Sequence, residues 1–176
     1  MKQIDYTHLS EEAMKQLSKN GAFLNTMYNQ KVNCMTISWA SIGTIWGKPV
    51  MIIAVRYSRY TYKLIDKSNV FTVNIPKLGD FKDELSFCGS KSGRDYNKFK
   101  ECSFKTKQGS SVNVPIISGC NIYFECKVIY KQAMEPGLID GSIKKIYYDA
   151  NDDYHVLYYG EILTCYKDDG EKNGEN

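Results

Sequence analysis

An antiparallel β-barrel with peripheral helices, mainly β within the α+β class, is the fold that this 176-residue sequence predicts. Three observations lead to it. Seven or so short runs have strand length and strand composition. Two or three segments of helical spacing are inserted among them. The two kinds of segment do not follow the strict βαβ rhythm that a parallel sheet requires. The length and a hydrophobic content of 43% suit one domain with a real core. That domain is placed at residues 1–166, and 167–176 read as a disordered tail, since the acidic, glycine-containing run beyond Lys167 has nothing to bury.

The chain opens on a helix. Ser10 is expected to cap it, with Glu11 and Glu12 in the first turn, Leu9 and Met14 as a hydrophobic staple, and Gly21 as the stop. Ala22–Tyr28 reads as the first strand, and the second runs from Val32 after a turn. The stretch from Lys31 to Tyr62 is expected to hold two strands separated by the turn signal Gly47–Pro49. Asn33, Thr36, Ser38 and Ser41 are short polar residues set among apolar neighbours, an odd composition for a strand that only fills a core. The second of these strands, Val50–Val55, ends in Arg56, Tyr57, Ser58, Arg59 and Tyr60. Clustered hydroxyls and guanidinium groups are what a phosphate needs, because its oxygens accept several charge-assisted hydrogen bonds at once.

Thr61, Leu64, Ile65 and Ser68 fall on one helical face, which places Ser58 or Thr61 at a helix N-terminus, where unpaired amides and the dipole favour an anion. Val70–Ile75 is a strand stopped by Pro76, and Leu78, Phe81 and Leu85 have helical spacing. The chain then enters a polar loop at 88–99, where Gly89 and Gly93 free the backbone, Ser90 and Ser92 add hydroxyls, and Lys91, Arg94 and Lys98 add charge. It lacks the spacing of a nucleotide triphosphatase loop. Strand patterns return from Val112 to Ile117 and from Cys120 to Lys131. Residues 132–153 form a polar excursion with a short helix near Ile143–Tyr148, long enough to cover a pocket or a partner subunit. Tyr154–Tyr166 is the last strand.

Other classes recede. With 23 basic and 20 acidic residues interspersed, a net charge of +3 gives no electrostatic footprint for nucleic acid or an anionic membrane. Charged residues stand where a signal peptide would carry its apolar region, and no apolar run approaches membrane-spanning length, so a cytoplasmic protein is expected. Six cysteines without a CxxC pair, and two histidines, suggest neither a metal site nor a disulfide framework; the thiols read as reduced and partly buried. Fourteen tyrosines suit pocket walls or subunit contacts.

Taken together, the segments Asn33–Trp39, Trp46–Pro49, Val55–Thr61, Ser92–Phe99 and His155–Ile162 resemble, in the same order, those of the flavin reductase-like family of FMN-binding, Greek-key split barrels. With its insertion at 132–153 the chain is similar to clostridial-type NAD(P)H-dependent flavin reductases and to flavoredoxins. The resemblance implies a homodimer with FMN at the subunit interface. It places Asn33, Thr36, Ser38 and Trp39 along the isoalloxazine and ribityl chain, with backbone amides of Met35, Thr36, Ile37 and Ser38 facing the ring. It gives the phosphate to Arg56, Ser58, Arg59 and Thr61, helped by Ser90, Ser92 and Lys98 from the glycine loop. His155 matches a position near the ring, where a nicotinamide would stack, and Tyr57 stands where many relatives have proline. The implied activity is hydride transfer from NAD(P)H to flavin, which needs two rings held face to face and no nucleophile. The alternative is a non-enzymatic FMN electron carrier reduced by a protein partner.

Overall fold

The computed structural model describes residues 2–149 and 152–168. Within them the strands are β1 (Lys2–Gln3), β2 (Ala22–Tyr28), β3 (Lys31–Ile37), β4 (Ala40–Ile45), β5 (Lys48–Arg56), β6 (Val70–Ile75), β7 (Thr106–Gln108), β8 (Pro115–Ile117), β9 (Ile122–Ala133) and β10 (His155–Lys167). The helices are α1 (Tyr6–Asn20), α2 (Tyr60–Ser68), α3 (Lys82–Ser90), α4 (Lys98–Glu101) and α5 (Gly141–Tyr147). Most of the expected disordered tail, 169–176, lies outside the described residues, as do Ala150 and Asn151. Lys167 itself closes β10.

The main sheet is antiparallel throughout and runs β3-β2-β6-β9-β10-β5-β4, with β1 added on β10. Its two ends, β3 and β4, are consecutive in the chain, and no ladder joins them. The barrel is therefore split along β3, whose outward-facing amides and carbonyls have no strand partner among the described residues. Inside it, Leu24, Met51, Ile53, Phe71, Phe124 and Tyr158 pack into one core, each contributing about 2 kcal/mol on burial. Phe23, Cys34, Leu85, Cys88 and Tyr123 form a second core beneath α3. At Gly160 a Cβ would come within 2.4 Å of the Phe71 ring, so the close approach of β10 to β6 requires glycine.

Four local expectations are corrected. Helix α1 starts at Asp5, whose carboxylate accepts from the Thr7 amide at 2.9 Å; Ser10 lies a turn inside, where its hydroxyl donates to the Tyr6 carbonyl. A carboxylate placed beside the first free amides is the stronger acceptor. The Lys31–Tyr62 stretch holds three strands, because the chain leaves the ladder at Ser38–Trp39, and the Trp46–Gly47 turn joins β4 to β5 with φ of 54° and 66°. Helix α3 extends through Ser90, so the polar loop begins at Lys91.

The strand expected from Val112 begins only at Pro115, and it pairs with β7. The cause is Glu125, fully buried on β9, whose carboxylate accepts from the amides of Ser110, Ser111 and Val112 at 2.9, 2.7 and 3.0 Å, from the Ser110 hydroxyl at 3.0 Å and from Tyr166 at 2.8 Å. Amides turned onto a carboxylate cannot also join a ladder. Burial is the largest single influence on this carboxyl and pushes it up, but the bonds from Ser110, Ser111, Tyr166 and Val112 together outweigh burial and leave it below its ordinary value.

Candidate functional site

The N-terminus of α2 faces the loop between α3 and α4, and the space between them is a cavity of about 160 Å³. Thr61 stands in the first turn of α2, a helix end with no side-chain cap, so its amides point into the cavity with the positive end of the dipole. Asn33 on β3 donates from Nδ2 to Thr61 Oγ1 at 2.7 Å. The threonine oxygen thereby spends one of its two lone pairs, and its own proton is left to be donated. Lys98 is 4% exposed, and its Nζ donates to the Cys88 carbonyl at 2.7 Å. Burial lowers its pKa, which is the expected response of an ammonium that has left water without a counter-charge. Arg59 lines the same cavity and uses one guanidinium nitrogen on the Gly89 carbonyl at 3.1 Å.

Gly93 makes this closeness possible. A Cβ there would lie 1.8 Å from Asn33 Oδ1 and 3.1 Å from the Tyr60 ring, so only glycine lets the loop reach β3. Ser90 and Ser92 also line the cavity, Ser90 with its hydroxyl turned back onto the Ser86 carbonyl and Ser92 accepting from the Arg94 amide.

A second cavity, also about 160 Å³, continues from the first through Met35 and Arg59 along the split edge of the barrel. Thr36, Ile37, Ser38 and Trp39 form one wall; Ala54, Arg56 and His155 form the other. The Trp39 and His155 rings lie 4.7 Å apart at 37°, and Tyr147 meets Trp39 edge-on at 5.0 Å. Tyr148 hydroxyl shares a 2.7 Å hydrogen bond with His155 Nδ1. Burial first, and then the Arg56 charge, push His155 down to about 4, so the imidazole is neutral at physiological pH.

Every residue that the resemblance assigns to the flavin thus lines one of two adjoining cavities, whereas Ser41, Tyr57 and Gly89 line neither, and two of the assigned residues are held by the excursion. Arg56 does not line the first cavity; its guanidinium donates to the carbonyls of Asp153 and Tyr147 at 2.9 and 3.0 Å and lies over the Tyr148 ring. Ser58 borders the first cavity, yet its amide and hydroxyl both donate to the Asp153 carboxylate, at 3.0 and 2.5 Å. Both residues therefore tie down the excursion that ends in Asp153. Thr36 Oγ1 donates to the Leu85 carbonyl at 2.6 Å, which leaves its backbone to face the cavity. A larger concavity of about 580 Å³ adjoins the first across Gly93, Arg94 and Lys98, and none of Met35–Trp39 reaches it.

The family model described as a flavin reductase like domain matches residues 14–175. The chain belongs to the flavin reductase-like family. A relative in Archaeoglobus fulgidus, described only as an uncharacterized protein, is 29% identical over 83% of this chain and 71% of its own. A flavoredoxin of Desulfovibrio vulgaris superposes with a TM-score of 0.67 at 22% identity, over 85% of this chain and 69% of the other. An FMN-binding protein from Thermus thermophilus, solved with bound 1-cyclohex-2-enone, does so with a TM-score of 0.64 at 21% identity, over 85% and 71%. At these identities the likeness is one of fold: the flavin reductase-like split barrel.

Three residues of this flavin reductase-like domain escaped the sequence reading. Tyr147, Tyr148 and Asp153 come from the polar excursion, and only its length hinted that it folds back on the site. Tyr147 and Asp153 meet Arg56 and Ser58, nearly a hundred residues earlier in the chain, whereas Tyr148 meets His155 seven residues later, and no spacing rule connects any of these pairs.

Proposed function

We propose that this chain binds FMN, with the phosphate in the Thr61–Lys98 cavity and the ring system along Met35–Trp39, and that it passes electrons from NAD(P)H to flavin. The observation that carries the reading is the buried Lys98 ammonium, which shares its cavity with the free Thr61 proton, the uncapped α2 amides and Arg59. A site built of donors and positive charge, with no carboxylate on its lining, fits a phosphate. Bound FMN would supply the two-electron acceptor that no side chain here provides.

The protein's own part is binding, orientation and electrostatics. The unpaired edge of β3 offers backbone N–H donors along the second cavity, placed to favour negative charge on a ring lying there. Trp39 and neutral His155 present flat faces against which a second ring can be positioned, and the Tyr148 hydrogen bond fixes the imidazole orientation. A homodimer is part of the proposal: Trp39 is 39% exposed at the open side of the second cavity, and it shares a further concavity with exposed Leu138 and Ile143 of the excursion, an apolar surface that a second copy would cover.

One observation favours a second reading. Tyr147 meets Trp39 edge-on at the approach a nicotinamide would use, which suits an electron carrier reduced by a protein partner. Anaerobic addition of NADH or NADPH to the FMN-loaded protein separates the two. Bleaching of the flavin absorbance within seconds to minutes supports the reductase; a persistent yellow colour supports the carrier; and a protein that takes up no FMN removes both.

A further inference from the structure

Cys88 lies on the last turn of α3 and lines the first cavity, while Cys102 follows α4 immediately. Their sulfur atoms are 4.0 Å apart, so a shift of about 2 Å closes a disulfide. The segment between them is the loop that carries Gly93 and Lys98, and Lys98 is bonded to the Cys88 carbonyl. Cys34, on β3, lies against Cys88 and is wholly buried.

We propose that Cys88 and Cys102 are a redox-active thiol pair at the floor of the anion cavity, oxidised to a disulfide by hydrogen peroxide and guarded by the phosphate-bearing ligand that fills the cavity. The guarding rests on the FMN reading above; the oxidation does not.

The two thiols differ in the way that such chemistry requires. A hydrogen bond from Cys34, opposed by burial and helped by the Lys98 charge, pulls Cys88 below its ordinary value, whereas burial and the Cys88 charge push Cys102 up to about 12. Cys34 is pushed well up by burial and keeps its proton. Cys88, the more acidic thiol and the one on the cavity wall, is thus the attacking group and Cys102 the resolving thiol. In the first step Cys88 sulfur bonds to one peroxide oxygen, the O–O bond breaks, and the departing hydroxide takes up a proton as water. In the second, Cys102 sulfur bonds to Cys88 sulfur, the S–O bond of the sulfenic acid breaks, and a second water leaves with the Cys102 proton. Two thiols and one peroxide become one disulfide and two waters. The route in is the cavity itself, since the Cys88 side is otherwise covered by α3 and β3.

The test treats the flavin-free full chain with a stoichiometric amount of hydrogen peroxide, blocks remaining thiols under denaturing conditions, and maps the peptides. A Cys88–Cys102 cross-link is expected, and the Cys102→Ser protein is expected to carry a dimedone adduct on Cys88 instead. Both thiols still free, or a bond to another cysteine, overturns the proposal. With FMN at a hundred times its measured Kd, the free fraction and hence the rate fall about a hundredfold. An undiminished rate while flavin fluorescence shows FMN bound overturns the guarding. A chain that forms the cross-link yet never quenches FMN fluorescence upholds the thiol pair and refutes the FMN reading.

Discussion

Asn33 holds Thr61 by a 2.7 Å hydrogen bond that crosses from the edge strand β3 to the first turn of α2, and the bond is buried. Because the threonine accepts in this bond, it keeps its own proton for a ligand in the cavity it shares with Lys98. The sheet edge that lines one cavity therefore also arms the donor of the other.

Gly93→Ala tests that linkage. The new Cβ would strike Asn33 Oδ1, 1.8 Å away, and Asn33 can escape only by releasing Thr61. We expect FMN affinity to drop by about tenfold, the worth of one hydrogen bond to a charged group, while far-UV circular dichroism stays native. Fluorescence titration measures it, and unchanged affinity would show that Asn33 yields without disturbing Thr61.

Lys98→Met separates binding from structure. A buried ammonium held by the Cys88 carbonyl costs desolvation, so an apolar replacement should leave the urea midpoint unchanged or higher. FMN affinity should fall by about 10- to 100-fold, matching the loss of a charge-assisted contact. A sharp loss of stability would instead make Lys98 a structural residue.

His155 gives a pH signature. Its folded pKa of about 4 lies below the ordinary 6.5, so the unfolded chain binds the extra proton first as pH falls. The stability tied to its neutrality is complete above about pH 6.5 and is lost progressively toward pH 4. His155→Phe should flatten that part of the stability profile. An NMR titration placing the imidazole near its ordinary value would contradict the burial seen beside Arg56 and Tyr148.

Glu125→Gln addresses the fold alone. The carboxylate gathers three amides and two hydroxyls, and an amide side chain can accept with one oxygen only. A loss of roughly 2–4 kcal/mol is expected, read as a lower urea midpoint. Because the native carboxyl sits below its ordinary value, the wild type should lose this contribution as pH falls through the acid range, and the variant should not.

Much of this was legible because local chemistry carried it. Val70–Ile75 and Ala22–Tyr28 announced themselves by composition and by flanking Pro76 and Gly21, and the donors of α2 and the glycine loop by residue type. What escaped depended on distant partners. The strand expected from Val112 is shortened by Glu125, whose acidic side chain mid-strand gave no sign of the loop it would capture. Arg56 and Ser58 look like phosphate ligands in sequence, and only the return of Asp153 shows where their donors go. Ser10 had the right residue type for a cap, and Asp5 five positions earlier had a better one.

In the proposed complex the cavity between Thr61 and Lys98 holds the flavin phosphate. Riboflavin differs from FMN by that phosphate alone, so the two are best titrated side by side against the wild-type chain by flavin fluorescence. We predict that FMN binds at least about a hundredfold more tightly, as two or more charge-assisted hydrogen bonds require. Equal affinities for the two flavins would contradict the claim.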